Sequence, residues 1–326
     1  MSVERTAEAA ELTETGKRLL TGPPEGHGQA IATLDAAAHA GSGEAAALVG
    51  VLAGLGALTE QSWPRALEYT AHAAALGWAP ARGVLQVLSG DEALKARAAE
   101  RGAPATAWVE LARSVDLRGW LTPPPKRPLC EAPRIRAADG FLPGAACEWL
   151  VERARGSLSP AQVYGMQEAG PTQVRDRTNS AMEFGLLSAD LVLLLVQARI
   201  SALTGLPTQA FEPTQVLHYA PGQEFRSHVD FLQGDKPGMA EEVACKGQRI
   251  ATFIIYLNDD FEGGETEFQR VGIRFKGKAG DGLFWANVDA AGQPDRMTLH
   301  AGLPPLSGEK WLLSQWIRDR APMPPA

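Results

Sequence analysis

The chain is 326 residues long, 45% hydrophobic and 21% charged, a globular rather than a disordered composition, and longer than one core usually fills. A formal net charge of −7 argues against a general nucleic-acid partner, which needs a basic surface to displace counterions from phosphates. Cys130, Cys147 and Cys245 are odd in number and lack CxxC spacing, which disfavours both a disulfide framework and a zinc knuckle; with no apolar run of membrane-spanning length and no h-region in "MSVERTAEAAELTETGKRLL", we expect a cytoplasmic protein without a membrane partner.

Residues 1–118 are alanine-rich, poor in β-branched residues and patterned at helical spacing, as in "AAALVGVLAGLGAL" and "RALEYTAHAAALGW", so an all-α domain is expected. A shift of 36 residues lays "AGSGEAAALVGVLAG" over "LGWAPARGVLQVLSG", matching Gly41 with Gly77, Ala45 with Ala81, Val51 with Val87, Leu52 with Leu88 and Gly54 with Gly90. A third, shortened copy begins near "AAERGAPATAWVELARS". The pattern resembles tetratricopeptide-like solenoids of the Sel type, whose stacked helix pairs offer a concave surface to protein partners. A plain helical bundle is the alternative.

Residues 119–130 include "LTPPPKRPLC", where prolines forbid helix and favour an extended linker. From 131 to 326 the pattern changes. Helices are predicted in "FLPGAACEWLVERAR" and in "LSADLVLLLVQARISALTG", the latter capped by Ser188 or Asp190 and closed by glycine. Strands follow: "TQVLHYA", "EFRSHVDF", "QRIATFIIYLND", "GETEFQR", "GIRFKGKAG", "GLFWAN", "MTLHAG" and "EKWLLSQWIRD", parted by PG, GG, GD and SG turns. The expected fold class is therefore α+β: a C-terminal double-stranded β-helix, or jelly roll, with flanking helices, preceded by the all-α repeat domain.

His228 and Asp230 sit two apart, so on a strand they project to one side from backbone points about 7 Å apart. Such a pair is an ordinary polar edge unless a third donor joins it. An open iron site needs that third ligand on the same octahedral face. His300 in "TLHAG" is the candidate; His27, His39 and His72 lie in the helical half, and His218 competes within the barrel. In "GEKWLLSQWIRD", Lys310, Leu312, Ser314, Trp316 and Arg318 share one strand face. A lysine on the barrel side is a costly buried charge unless an anion meets it, and a dicarboxylate would.

"VLHYAPGQEFRSHVDF", "GQRIATFIIYLNDDFEGGETEF", "GKAGDGLFWAN", "TLHAGLPPLSGEKWLLSQWIR" and "RTNSAMEF" together resemble, in order and spacing over residues 130 to 320, the catalytic domain of prolyl 4-hydroxylases, Fe(II)- and 2-oxoglutarate-dependent oxygenases. The resemblance implies that His228, Asp230 and His300 bind Fe(II). It implies that Lys310 pairs with the distal carboxylate of 2-oxoglutarate, helped by the hydroxyls of Tyr219 and Thr252, with Trp316 walling the cosubstrate pocket. Phe225 departs from the tyrosine these hydroxylases often carry there. The implied activity is hydroxylation of an unactivated C–H with O2, yielding succinate and CO2, ascorbate serving as reductant. A peptidyl proline is the expected target; oxidation of a free amino acid or small metabolite, and a catalytically idle protein-binding module, are the alternatives. Two polar segments, 167–184 and 232–248, are expected to cover substrate, with Arg177 as a substrate contact.

Overall fold

The computed structural model of the protein describes residues 3–161, 177–234 and 238–321. Most of the first expected covering segment (167–176 of it) and part of the second (235–237) therefore lie outside the described residues. Two compact units emerge: Met1–Thr122 with Gly185–Ala198, and Pro123–Phe184 with Arg199–Ala326. Among the described residues no helix is long and apolar enough to cross a membrane.

The first unit is helical: α1 (Val3–Thr21), α2 (His27–His39), α3 (Gly43–Leu55), α4 (Trp63–Ala75), α5 (Ala79–Leu88), α6 (Glu92–Ala99), α7 (Ala105–Arg113) and α8 (Leu117–Leu121). Side chains of Ser42, Ser62, Asp91 and Asp116 cap α3, α4, α6 and α8 by accepting from backbone N–H groups of the first turn. The repeat is geometric as well as textual, because α2 and α4 begin and end 36 residues apart, as do the starts of α3 and α5. Both α2 and α4 close the same way. Gly41 and Gly77 take φ of +111° and +94°, and the next N–H groups, Ser42 and Trp78, reach back to the carbonyls of Ala37 and Ala73 at 2.9 and 3.0 Å.

Equivalent alanines of these helices, Ala30 with Ala66 and Ala37 with Ala73, are all fully buried, so the helices pack through small side chains. Gly54 shows why glycine recurs in α3: a Cβ there would meet Leu194 Cδ1 at 2.9 Å. Its repeat counterpart Gly90 has no such neighbour. The shortened third copy is represented by α7, whose Ala107, Trp108, Leu111 and Ala112 join the same core.

The second unit carries the strands β1 (Arg127–Cys130), β2 (Ile135–Ala138), β3 (Ser159–Pro160), β4 (Ser180–Glu183), β5 (Gln215–Tyr219), β6 (Phe225–His228), β7 (Arg249–Tyr256), β8 (Glu262–Gly263), β9 (Thr266–Phe268), β10 (Ile273–Phe275), β11 (Gly282–Ala286), β12 (His300–Gly302), β13 (Pro305–Ser307) and β14 (Lys310–Arg318). Helix α9 (Gly144–Arg155) precedes β3. Helix α10 (Leu191–Thr204), capped by Asp190 and closed at Gly205, precedes β5, and α11 (Met239–Lys246) follows β6. The stretch expected as a linker thus already contains β1.

The strands form a major sheet in the order β1-β2-β11-β7-β14-β5-β4-β3 and a minor sheet β10-β9-β12-β6, the two layers of a jelly roll, with a small β13-β8 pair. Alternate residues of the central major strands, Leu217 and Tyr219, Ile254 and Tyr256, Leu283 and Trp285, and Leu312, meet Phe268 and Phe275 of the minor sheet in one core. Residues of opposite parity face outward, as where Phe253 packs on Phe141 at 4.8 Å between ring centroids.

Candidate metal centre and its pocket

Strand β6 ends at His228, so Asp230 lies beyond the strand on which alternation would have placed it. Two local devices set the ligands instead. The β6–β12 register pairs His228 with His300 but Phe225 with Gly302, which leaves an extra residue on β6: a bulge. Phe225 and His228, opposed by strict alternation, therefore both line one pocket, with the phenyl stacked 3.5 Å from the imidazole at 15°. Past β6, the Gln248 side chain accepts the Leu232 N–H at 2.7 Å and donates to its carbonyl at 2.8 Å, which turns the chain inward and leaves Asp230 buried.

The ligand atoms of His228, Asp230 and His300 all lie within 4.8 Å of one another. His228 Nε2 is 3.3 Å from Asp230 Oδ1, and His300 Nε2 is 3.6 Å from Oδ2. On each imidazole Nδ1 faces a backbone carbonyl, Arg226 at 2.7 Å and Thr298 at 2.9 Å. A carbonyl only accepts, so Nδ1 carries the proton and the Nε2 lone pair points toward the carboxylate. Burial, aided by His228, pushes His300 down to about 4. Burial alone would raise Asp230, but His300, His228 and the Thr252 hydroxyl outweigh it and hold the carboxyl well below the usual range. An ionised carboxylate and a proton-free His300 Nε2 at neutral pH are what metal coordination requires, and two imidazoles with one carboxylate form the donor set of a facial Fe(II) site.

Lys310 lies just behind the lining of the same pocket, its Nζ near the lining residues Tyr219 and Gly302. It opens β14 opposite Tyr219, is fully buried, and its Nζ has no hydrogen-bond partner. Its ammonium sits 4.9 and 5.7 Å from the Tyr219 and Tyr256 ring centroids. Burial pushes this lysine down to about 7, against a modest opposing pull from Glu265. A Cβ on Gly302 would stand 3.5 Å from the Tyr219 hydroxyl and 3.9 Å from Lys310 Nζ, so glycine there keeps the space beside them clear. Burial pushes the Tyr219 phenol up to about 12, which keeps it a neutral donor. An orphaned buried amine beside a phenol that lines the triad's pocket fits an anionic ligand.

Leu312, Ser314 and Trp316 line the pocket, as alternation on β14 requires. The Trp316 indole is backed by the Arg249 guanidinium 3.7 Å over its ring, itself held by Glu212 at 2.6 and 2.8 Å. Arg177 also lines the pocket, nearly buried, with its guanidinium 4.7 Å over Phe225 and Nε donating to Asn179 Oδ1 at 3.0 Å.

Thr252 lines the pocket as expected of a residue near the cosubstrate, and it also donates to Asp230 Oδ2 at 2.7 Å and accepts from Asn287 Nδ2 at 3.0 Å. His218, the competing histidine, has the opposite parity on β5 and packs on Trp311 at 4.4 Å, away from the triad. Sequence reasoning missed Asn287 and Trp285, whose ring meets His300 edge-on at 4.7 Å. The signal was present in "GLFWAN", where Leu283, Trp285 and Asn287 alternate on one side.

The profile of the 2OG-Fe(II) oxygenase superfamily matches residues 214–318, which span both histidines, the aspartate and Lys310. The chain is 34% identical over 191 residues to the prolyl 4-hydroxylase subunit alpha-1 of Rattus norvegicus, covering 58% of this chain and 35% of that protein. It is 32% identical over 208 residues to the probable prolyl 4-hydroxylase 6 of Arabidopsis thaliana, covering 58% of this chain and 70% of that one. Among solved structures, a viral collagen prolyl hydroxylase from Paramecium bursaria Chlorella virus-1, in complex with 2OG, covers 58% of this chain at 28% identity, with a TM-score of 0.45. The chain thus spans about a third of the length of the mammalian subunit it matches.

Proposed function

The chain belongs to the 2OG-Fe(II) oxygenase superfamily, and from that premise we propose that it is a 2-oxoglutarate-dependent dioxygenase that hydroxylates a peptidyl proline. The observation that carries the reading is Lys310 Nζ, fully buried and without a partner beyond the triad. A chain keeps such a charge out of water only where an anion completes it. Iron(II) held by His228, Asp230 and His300, with 2-oxoglutarate and O2, supplies the oxidant for an unactivated C–H while the oxoacid becomes succinate and CO2. The protein's residues do the rest. Lys310 and the Tyr219 phenol receive the distal carboxylate, Trp316 walls the pocket, and Leu217, Ile254 and Leu312 keep water from its sides. Arg177, which lines the pocket and lies over Phe225, is in this reading a substrate contact. Phe225 supplies an aromatic wall without a hydroxyl.

In this reading the helical repeats recruit a cytoplasmic protein that presents the proline, and ascorbate restores the metal after uncoupled turnover. The test is succinate release by the full chain with iron(II), 2-oxoglutarate and ascorbate, comparing proline-containing peptides with free proline. Peptide-dependent release with a matching mass gain of one oxygen is expected. Release stimulated by free proline but not by any peptide would retire the peptidyl reading, and absence of metal uptake would retire the enzyme.

A further inference from the structure

Resting on the metal-site reading above, we propose that Asn287 is a positioning residue: through Thr252 it fixes the direction in which Asp230 offers its carboxylate to the metal. Three residues from three places in the chain make one line. Asn287 Nδ2 donates to Thr252 Oγ1 at 3.0 Å, and Thr252 Oγ1 donates to Asp230 Oδ2 at 2.7 Å. Thr252 and Asn287 are almost completely buried and Asp230 nearly so, so water does not compete for these bonds.

The order of donation follows from the groups themselves. An ionised carboxylate accepts and never donates, and a threonine hydroxyl has one proton. That proton must go to Asp230. The hydroxyl oxygen is then left as an acceptor, and of the two ends of the Asn287 amide only the NH2 end can serve it. The backbone holds the asparagine in place for this: its N–H donates to the Ile250 carbonyl at 2.8 Å and its carbonyl accepts from Asp295 at 2.9 Å.

The arrangement has a cost that points to its use. Asn287 Oδ1 is buried and has no hydrogen-bond partner. A leucine there would fill the space without an orphaned acceptor, so the amide is kept for the bond it gives Thr252. The hydroxyl takes one lone pair of Asp230 Oδ2, which lies 3.6 Å from His300 Nε2, and leaves Oδ1, 3.3 Å from His228 Nε2, without that bond. With the hydroxyl itself oriented from behind, rotation of the carboxylate about its Cβ–Cγ bond is resisted.

The experiment is equilibrium binding of Mn(II) to the metal-free full chain, followed by the electron paramagnetic resonance of the unbound ion, together with the melting temperature of the metal-free protein. Thr252→Val, which keeps the shape and removes the hydroxyl, is expected to weaken Mn(II) binding about 10- to 100-fold, and Thr252→Ser to restore it to within about threefold of the parent. Asn287→Leu is expected to weaken binding about tenfold with no fall in the metal-free melting temperature. The double variant should bind no worse than Thr252→Val alone, because Asn287 acts through the hydroxyl. Unchanged Mn(II) affinity in Asn287→Leu, or additive losses in the double variant, would overturn the assignment. Should Thr252→Val not fold, Asn287→Leu decides the matter alone. A different result, parent protein that binds Mn(II) no better than His228→Ala, would instead defeat the metal-site reading beneath it.

Discussion

The two units handle buried polar groups in opposite ways. In the helical unit the buried polar side chains among the described residues are Thr13, Thr70 and Ser89, and each is satisfied nearby: the threonines by the carbonyl one turn back, Ser89 by Ser114. In the barrel unit buried Asp230, Thr252, His300 and Ser314 line one pocket, Asn287 bonds to Thr252 behind it, and Lys310 Nζ, Asn287 Oδ1 and Trp285 Nε1 have no hydrogen-bond partner among the described residues. One unit has settled its polar groups internally, so its core serves packing. The other keeps unsatisfied groups at an energetic loss, which is how a binding site differs from a core.

The sharpest way to break that contrast is His228→Ala. Losing a residue that only orients a metal ligand costs about 10- to 100-fold, so losing the ligand itself should cost turnover on the order of 1000-fold or more. Metal analysis of the dialysed protein should find no retained iron. A variant that held iron and released succinate at the parent rate would place the metal elsewhere.

Next is Lys310→Met, which separates function from stability. Apparent affinity for 2-oxoglutarate should fall about 100-fold, whereas the metal-free protein should become more stable by on the order of 2 kcal/mol, since an uncompensated buried charge is replaced by apolar volume. Urea denaturation and 2-oxoglutarate titration read the two effects. A fall in stability with cosubstrate affinity intact would make the lysine structural and erase the distinction between the units.

The same lysine sets a pH dependence. Burial holds it down at about 7 in the folded chain, against an ordinary 10.5. Between those values the unfolded chain carries the proton that the folded chain has shed, so metal-free stability rises with pH across that window, the charge penalty being fully present below it. The distal carboxylate needs the ammonium restored, so 2-oxoglutarate binding above pH 7 takes up a proton and weakens by at most about tenfold per pH unit. Titration calorimetry in buffers of different ionisation enthalpy should register the uptake, and its absence in Lys310→Met assigns it.

Much of this was legible before folding because it rests on short-range rules. Period-two alternation placed Leu312, Ser314 and Trp316 together, and all eight strands expected from residue 214 onward have counterparts. The 36-residue shift anticipated matching helix boundaries. What escaped was geometry that alternation cannot encode. The bulge in β6 brings Phe225 round to His228, and Asp230 is placed by a Gln248 clamp rather than by a strand. Thr252 lines the pocket, but its bond to Asp230 was not legible, because a hydroxyl's direction depends on which acceptor lies nearest in space, and Asp230 is distant in sequence. Strands β1, β2, β3 and β4, two to four residues long, escaped as well; the first lies within the proline-rich stretch.

The smallest expected effect tests the helical side of the contrast. Gly41 and Gly77 hold φ of +111° and +94° at equivalent helix ends, where an L side chain is strained. Gly77→Ala meets only the far end of the Arg82 side chain, at 3.9 Å, so its cost is backbone strain rather than a clash. That strain is about 1–2 kcal/mol. Because the same closure recurs one repeat earlier, Gly41→Ala should cost about the same, and the two losses should add, as losses at well-separated sites do to within about 0.5 kcal/mol. Thermal unfolding of both single variants and the double variant measures this, with succinate release from 2-oxoglutarate in the absence of peptide as the control expected to hold steady. Unequal costs would mean that the two closures are not equivalent and that the 36-residue period organises the sequence without organising the energetics. A loss of peptide-independent succinate release would mean that the helical unit is coupled to the pocket after all.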